Sequence, residues 1–344
     1  MLVRKQYEFA MNDPDIMAQF VKYGLRPIKS IDMPITATPG HVKFSMNVVY
    51  DDAWVMNSTN APRRDVVVFL NGDSSGKIGL THDIVQGITS KGQLYVEIFE
   101  ANDSTVNWSD ADPTKILGSH HSYTKVWMSA SDPDMEAMYS RRALELAQLL
   151  EILTLMQAKF NAGLVNEGYP MTDNWLLIGQ SAGAGKSIWL HHLLQRAPEK
   201  FNWASKFKGV ILSSLVITPV RYTSGGTSWA EFLRYDRFMP SFQRAFAMNK
   251  DTLPIFILQN AGDDAANQYM REIMQVTIPS KYRDKIFWYS DASRGHGGDW
   301  KYITGQAYRM LKGLPLQYVD ISTYEVKPML NLTQLIKRGI TKID

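Results

Sequence analysis

Trp175-Leu176-Leu177-Ile178-Gly179-Gln180-Ser181-Ala182-Gly183 is the stretch on which the reading of this chain turns. An apolar, strand-like run ends in a G-x-S-x-G sequence, and a helical pattern follows over Lys186 to Gln195. A serine in such a sequence sits in a tight, strained turn between strand and helix. Small residues are needed on both sides, because a side chain at Gly179 or Gly183 would collide with the neighbouring strand or helix. The turn lifts the hydroxyl clear of the backbone.

Working outward, runs of the same kind recur at Lys43 to Tyr50, Asp65 to Leu70, Leu94 to Phe99, Val210 to Leu212, Ile255 to Leu258 and Ile286 to Tyr289. Most are nearly continuous apolar segments rather than alternating ones, as expected of strands covered on both faces of a parallel sheet. Met135, Met138, Leu146, Leu149, Leu150, Leu153, Met156 and Phe160 recur mostly at intervals of three and four residues. That spacing predicts a long amphipathic helix, with Asp132-Pro133 as cap and first turn. Further helices are predicted over Lys186 to Gln195, Ala265 to Met274 and Trp300 to Leu311. The alternation predicts an α/β fold with a mostly parallel, doubly wound sheet.

No Gly/Ser/Pro-rich linker divides the chain, so residues 41–315 read as one core. Residues 1–40 and 316–344 read as N- and C-terminal extensions, the latter with a strand over Tyr318 to Tyr324 and an apolar stripe of Leu332, Leu335 and Ile336. Two long stretches interrupt the alternation, Glu100 to Ser131 and Leu215 to Asp251; the second coincides with a cap-like insertion over 216–252 to within a residue at each end. Long insertions of this kind are usually functional.

Chemistry-bearing residues fall at the carboxyl ends of the predicted strands, where active sites of open α/β sheets form. Ile255 to Leu258 runs into Gln259-Asn260-Ala261-Gly262-Asp263-Asp264, and Ile286 to Tyr289 leads to Ser293-Arg294-Gly295-His296-Gly297-Gly298. Asp65 to Leu70 ends in Asn71-Gly72-Asp73, a turn able to aim a backbone N–H at a developing oxyanion. With its order of Ser181, then acid, then His296, the chain resembles the α/β-hydrolase superfamily. The resemblance covers residues 41–315 and implies a catalytic triad on a nucleophile elbow. Ser181 would be the nucleophile, His296 the general base and later acid, and Asp263 the group that orients the imidazole, with Asp264 as the alternative acid. The Ala182 and Asp73 N–H groups would form the oxyanion hole, although Asn71-Gly72 stands where such hydrolases usually have His-Gly. Trp229, Phe232 and Phe238 lie in an aromatic run where such hydrolases carry a cap that shapes the acyl pocket; simple packing is the other reading of that run. A serine here argues against relatives that use a carboxylate nucleophile, and leaves ester, thioester or amide cleavage. Carboxylic-ester hydrolysis through an acyl-enzyme is the expected activity. The ester could be borne by a small molecule, as an O-acyl group, or by a polymer.

Composition narrows the field further. The 344 residues carry 37 Lys+Arg against 34 Asp+Glu, a net charge of +3, with no block of like charges, so no nucleic-acid partner is expected. Cys is absent, which excludes disulfides, thiolate metal sites and a Cys nucleophile. The pairs His120-His121 and His191-His192 point apart on a helix or strand, so no metal is expected, and no cofactor either. No apolar run suggests a signal peptide or a membrane span, and a cytoplasmic or assembly-associated protein is expected.

Two other readings stand beside the hydrolase. Gly179 to Ser187 approaches the phosphate loop G-x-x-x-x-G-K-S, with Gly185-Lys186-Ser187 as its end, but five residues rather than four separate Gly179 from Gly185. The terminal extensions contain more than the core needs, which suggests a homo-oligomer, or a structural or attachment subunit of a larger assembly such as a virus particle.

Overall fold

The computed structural model describes residues 1–10, 43–52, 54, 59–72, 78–101, 132–165, 168–196, 201–214, 254–258, 280–289, 298–320 and 322–339. Each apolar run predicted as a strand is one. In chain order the strands of the main sheet are β1 (Leu2–Ala10), β2 (Lys43–Asp51), β3 (Arg64–Leu70), β4 (Leu94–Ala101), β5 (Met171–Gln180), β6 (Phe207–Ser213), β7 (Ile255–Leu258) and β8 (Ile286–Tyr289). They lie side by side in the order β1-β2-β4-β3-β5-β6-β7-β8. β1 pairs antiparallel with β2, β2 antiparallel with β4, and all further pairings are parallel, so β2 alone runs against the rest.

Helices cover both faces. α1 (Asp83–Thr89) and α4 (Trp300–Leu311) pack on one, while α2 (Asp132–Asn161), α3 (Ala182–Arg196) and α5 (Leu332–Lys337) pack on the other. β3 shows why its sequence is continuously apolar. Val66, Val68 and Leu70 face the α2/α3 side, Val67 and Phe69 face the α1/α4 side, and all five are buried. This mostly parallel, doubly wound α/β sheet is the fold class expected from the sequence, and a serine turn follows its fifth strand.

The described parts of the two terminal segments pack with the same fold. β1 is the edge strand of the main sheet, although its residues read from the sequence as part of an extension. The predicted strand over Tyr318 to Tyr324 is instead a hairpin of β9 (Gln317–Asp320) and β10 (Glu325–Pro328). Asp320 breaks the run: its carboxylate accepts from the Ser322 N–H at 2.9 Å and from the Ser322 hydroxyl at 2.6 Å, which turns the chain. The stripe of Leu332, Leu335 and Ile336 forms α5, capped by Asn331 and Gln334 and packed on the core.

Candidate active site

The sheet places its own crevice. β3 and β5 are parallel neighbours, yet the chain leaves β3 for α1 on one face and leaves β5 for α3 on the other. Connections that diverge in this way open a cleft at the carboxyl ends of the two strands, the topological switch point of an open α/β sheet. Ser181 and Asn71-Gly72 are the residues that follow those ends.

Ser181 is the entire turn between β5, which ends at Gln180, and α3, which begins at Ala182. Its φ is +55°, in the left-handed region that an L side chain occupies at a cost of about 1–3 kcal/mol. The surroundings impose that conformation. The Ser181 N–H donates to the Ser213 carbonyl of β6 at 2.9 Å, and its own carbonyl accepts from the N–H groups of Ala184 at 2.9 Å and Gly185 at 3.3 Å. The flanking glycines are required by sterics. A Cβ on Gly179 would lie 2.3 Å from the Ser187 Oγ and 2.4 Å from the Gly183 carbonyl oxygen, inside α3. One on Gly183 would lie 2.1 Å from the Leu70 carbonyl oxygen, at the end of β3. Strand and helix are in contact on either side of the serine.

The turn after β3 lies directly over Ser181. A Cβ on Gly72 would stand 3.0 Å from the Ser181 Cβ. The buried Asn71 side chain accepts from the Gly72 N–H at 2.9 Å, so that N–H is already engaged. On the other side, Ala182 is the first residue of α3, and its N–H has no acceptor within the helix. The first turn of α3 carries no acidic side chain of its own to offset the positive end of the helix dipole.

The start of α4 closes in from the α1/α4 face. A Cβ on Gly298 would lie 3.1 Å from the Ser213 Oγ, and the Trp300 ring meets the Phe69 ring edge-on with centroids 5.7 Å apart. Residues 298–300 therefore touch β6 and β3, the two strands that flank β5. Asp299 caps the helix by accepting from the Tyr302 N–H at 3.1 Å. Tyr302 packs on Tyr289, the last residue of β8, with ring centroids 4.7 Å apart. Burial pushes the Tyr302 phenol well above its ordinary range, with Tyr289 and Asp299 adding to the effect, so the phenol stays neutral and its hydroxyl donates to the Gln317 carbonyl at 2.9 Å.

The sequence-derived residues Asp73, Trp229, Phe232, Phe238, Asp263, Asp264 and His296 lie outside the described residues, as do the insertion over 216–252 and the helix predicted at Ala265 to Met274. Gly185, Lys186 and Ser187 are described, and they lie inside α3 rather than in a loop. Lys186 is 3% exposed and Ser187 fully buried, its hydroxyl donating to the Gly183 carbonyl at 2.8 Å. The single residue between β5 and α3 leaves no loop to wrap a phosphate, so this segment does not have phosphate-loop geometry. Among the described residues no group of three or more His, Cys, Asp or Glu is placed to hold a metal ion, and no helix is long and apolar enough to cross a membrane.

One residue near the site was missed in the sequence. Glu97 is the single charged side chain in the apolar run Leu94 to Phe99, and it is fully buried opposite Phe69 of β3. An acid in the middle of an apolar strand was the available signal.

No protein-family model matches the chain, and no curated protein matches it. Solved structures do resemble it. Acetyl xylan esterase 1 from Thermoanaerobacterium sp. JW/SL YS485 matches at 10% identity over 80% of this chain and 81% of that one, with a TM-score of 0.47. Esterase 2 of Thermogutta terrifontis, phosphoramylated by tabun, matches at 12% over 84% and 97%, with a TM-score of 0.43. An esterase of Rhizomucor miehei matches at 13% over 88% and 97%, with a TM-score of 0.41. At such distances the chemistry of this chain is read from its own residues.

Proposed function

We propose that the chain is a serine hydrolase that cleaves a carboxylic ester through an acyl-enzyme on Ser181. The observation that carries the reading is the Ser181 backbone. A non-glycine residue held at φ +55° as the whole of a strand-to-helix turn, at the switch point of the sheet, is strain stored where a nucleophile needs it. Residues 298–300 against β6 and β3 support His296, two residues upstream, as the base. The engaged Gly72 N–H supports the next one, of Asp73, as the donor that works with the Ala182 N–H.

In this mechanism the Ser181 Oγ attacks the ester carbonyl carbon as its proton passes to the His296 imidazole, and the carbonyl π electrons move onto oxygen. The Ala182 and Asp73 N–H groups and the amino end of α3 stabilise that oxyanion. Collapse of the adduct breaks the bond to the alcohol oxygen, which leaves with the proton from the imidazolium. Water then repeats the sequence on the acyl-enzyme, releasing the acid and restoring Ser181. Asp263, or Asp264, holds the imidazole and stabilises its charged form. Trp229, Phe232 and Phe238 would line the acyl pocket.

The test is covalent. A fluorophosphonate probe is expected to label the folded protein at one serine and to leave Ser181→Ala unlabelled. A folded wild-type protein that takes no label, or a Ser181→Ala variant that labels as well as wild type, overturns the reading.

A further inference from the structure

A second serine with a positive φ stands beside Ser181. Ser214 follows the last residue of β6 as Ser181 follows the last residue of β5, and those last residues, Ser213 and Gln180, are register partners. The two serines are therefore level at the carboxyl ends of neighbouring strands. Ser214 has a φ of +48° and is fully buried. The peptide that joins it to Ser213 bridges two strand ends: its carbonyl accepts from the Ser181 N–H at 2.9 Å, and its N–H donates at 2.9 Å to the carbonyl of Leu258, the last residue of β7. A left-handed conformation is costly for an L residue, and here the cost has a local way out. Counter-rotation of the Ser213 ψ and the Ser214 φ turns this one rigid peptide about its Cα–Cα axis and leaves the chain on either side in place. That turn would carry the carbonyl away from Ser181 and the N–H away from Leu258, and leave their partners unsatisfied in a buried place. Two hydrogen bonds thus hold the strain, one of them on the backbone of Ser181.

We infer, on the serine-hydrolase reading of Ser181, that Ser214 is a positioning residue for the nucleophile: by tolerating the left-handed region it keeps the Ser213 carbonyl on the Ser181 N–H. Released from that bond, the Ser181 backbone loses its tie to β6, and the hydroxyl its fixed place under Gly72. The effect runs through the backbone, so the side chain at 214 matters for the φ it permits. Glycine takes a positive φ freely, serine bears it, and a β-branched residue bears it worst. Each step lies at the adjoining ends of β5, β6 and β7.

The test uses p-nitrophenyl butyrate turnover, with active sites counted by fluorophosphonate labelling carried to completion. Ser214→Val is expected to lower both kcat per labelled site and the rate of labelling by about ten- to a hundredfold with KM nearly unchanged, because a displaced nucleophile slows the chemical step. Ser214→Gly is expected to stay within about threefold of wild type, since it keeps the positive φ without the side chain. If Ser214→Val does not fold, Ser214→Thr decides: it keeps the hydroxyl and adds a methyl group, with an expected loss of about three- to tenfold in kcat per site. A merely structural role would lower the number of labelled sites and leave kcat per site at the wild-type value, and that result in the folded variant overturns the inference. So does a Ser214→Gly protein as impaired as the β-branched variant, which would assign the effect to the hydroxyl. A wild-type protein that takes no label fails earlier, at Ser181 itself, and overturns the reading beneath it.

Discussion

At the scale of single residues, the informative quantity is the sign of φ at Ser181. An L side chain in the left-handed region costs roughly 1–2 kcal/mol, and glycine does not bear that cost. Ser181→Ala removes the hydroxyl and keeps the Cβ, so the strain remains. Ser181→Gly releases it, against a loss of about 0.4–1 kcal/mol from the freer unfolded chain. The glycine variant is therefore expected to be as stable as the alanine variant, or more stable by up to about 1 kcal/mol, in urea unfolding followed by tryptophan fluorescence. At an ordinary position the order is the reverse. A glycine variant about 1 kcal/mol less stable than the alanine one would mean that the turn carries no strain. The serine itself was legible in the sequence because small residues on both sides are a local requirement, readable without knowing the fold. Ser214 was not, since its strain shows only in the backbone and its place beside Ser181 depends on how β5 and β6 line up.

At the scale of elements, glycines separate packing from propensity. Gly183 and Gly305 both lie in helices, and their surroundings differ completely. A Cβ on Gly183 would meet the backbone of β3 at 2.1 Å, whereas one on Gly305 in α4 meets nothing within 4 Å. Gly183→Ala must push α3 away from β3, and an expected loss of about 3 kcal/mol or more follows, together with loss of Ser181 labelling. Gly305→Ala is expected to add about 0.5–1 kcal/mol, as alanine does in an open helix position, with labelling intact. Thermal unfolding of the two variants side by side checks both signs. The same comparison shows which elements the sequence revealed. The central strands were legible because burial on both faces leaves only apolar residues, as in β3 and β7. β1 was not, because an edge strand carries polar residues such as Arg4, Lys5 and Gln6 among Val3 and Tyr7. α1 escaped because it spans only Asp83–Thr89 with Gly87 inside it. That glycine has a packing reason of its own, since a Cβ there would lie 2.5 Å from the Thr304 Oγ1 of α4.

At the scale of the whole molecule, the chain ends bear on how far the core extends. Read from the sequence, residues 316–344 were spare elements on which a partner could pack. The structure packs part of this segment on the core, while Val319, Tyr324 and Val326 of the β9–β10 hairpin are exposed. Leu332 and Leu335 are buried with the α2/α3 face, Leu316 and Met329 with the α1/α4 face, and Asn331 makes a backbone bridge to Phe287 of β8. One short segment therefore packs on both layers at the β8 end of the sheet, and its buried residues belong to the core. Burying each such side chain contributes about 1.5–3 kcal/mol, so four of them are comparable with the 5–15 kcal/mol of net stability typical of a folded domain. Removal of residues 316–344 is accordingly expected to abolish the cooperative thermal transition and the near-ultraviolet circular dichroism of the buried tryptophans, rather than to release a folded core. Leu332→Ala, which leaves the segment in place, is expected to cost about 2–5 kcal/mol in urea unfolding with the protein still folded and labelled at Ser181. A truncated chain that kept its transition temperature would show the segment to be an appendage, and would return it to the role of a surface awaiting a partner.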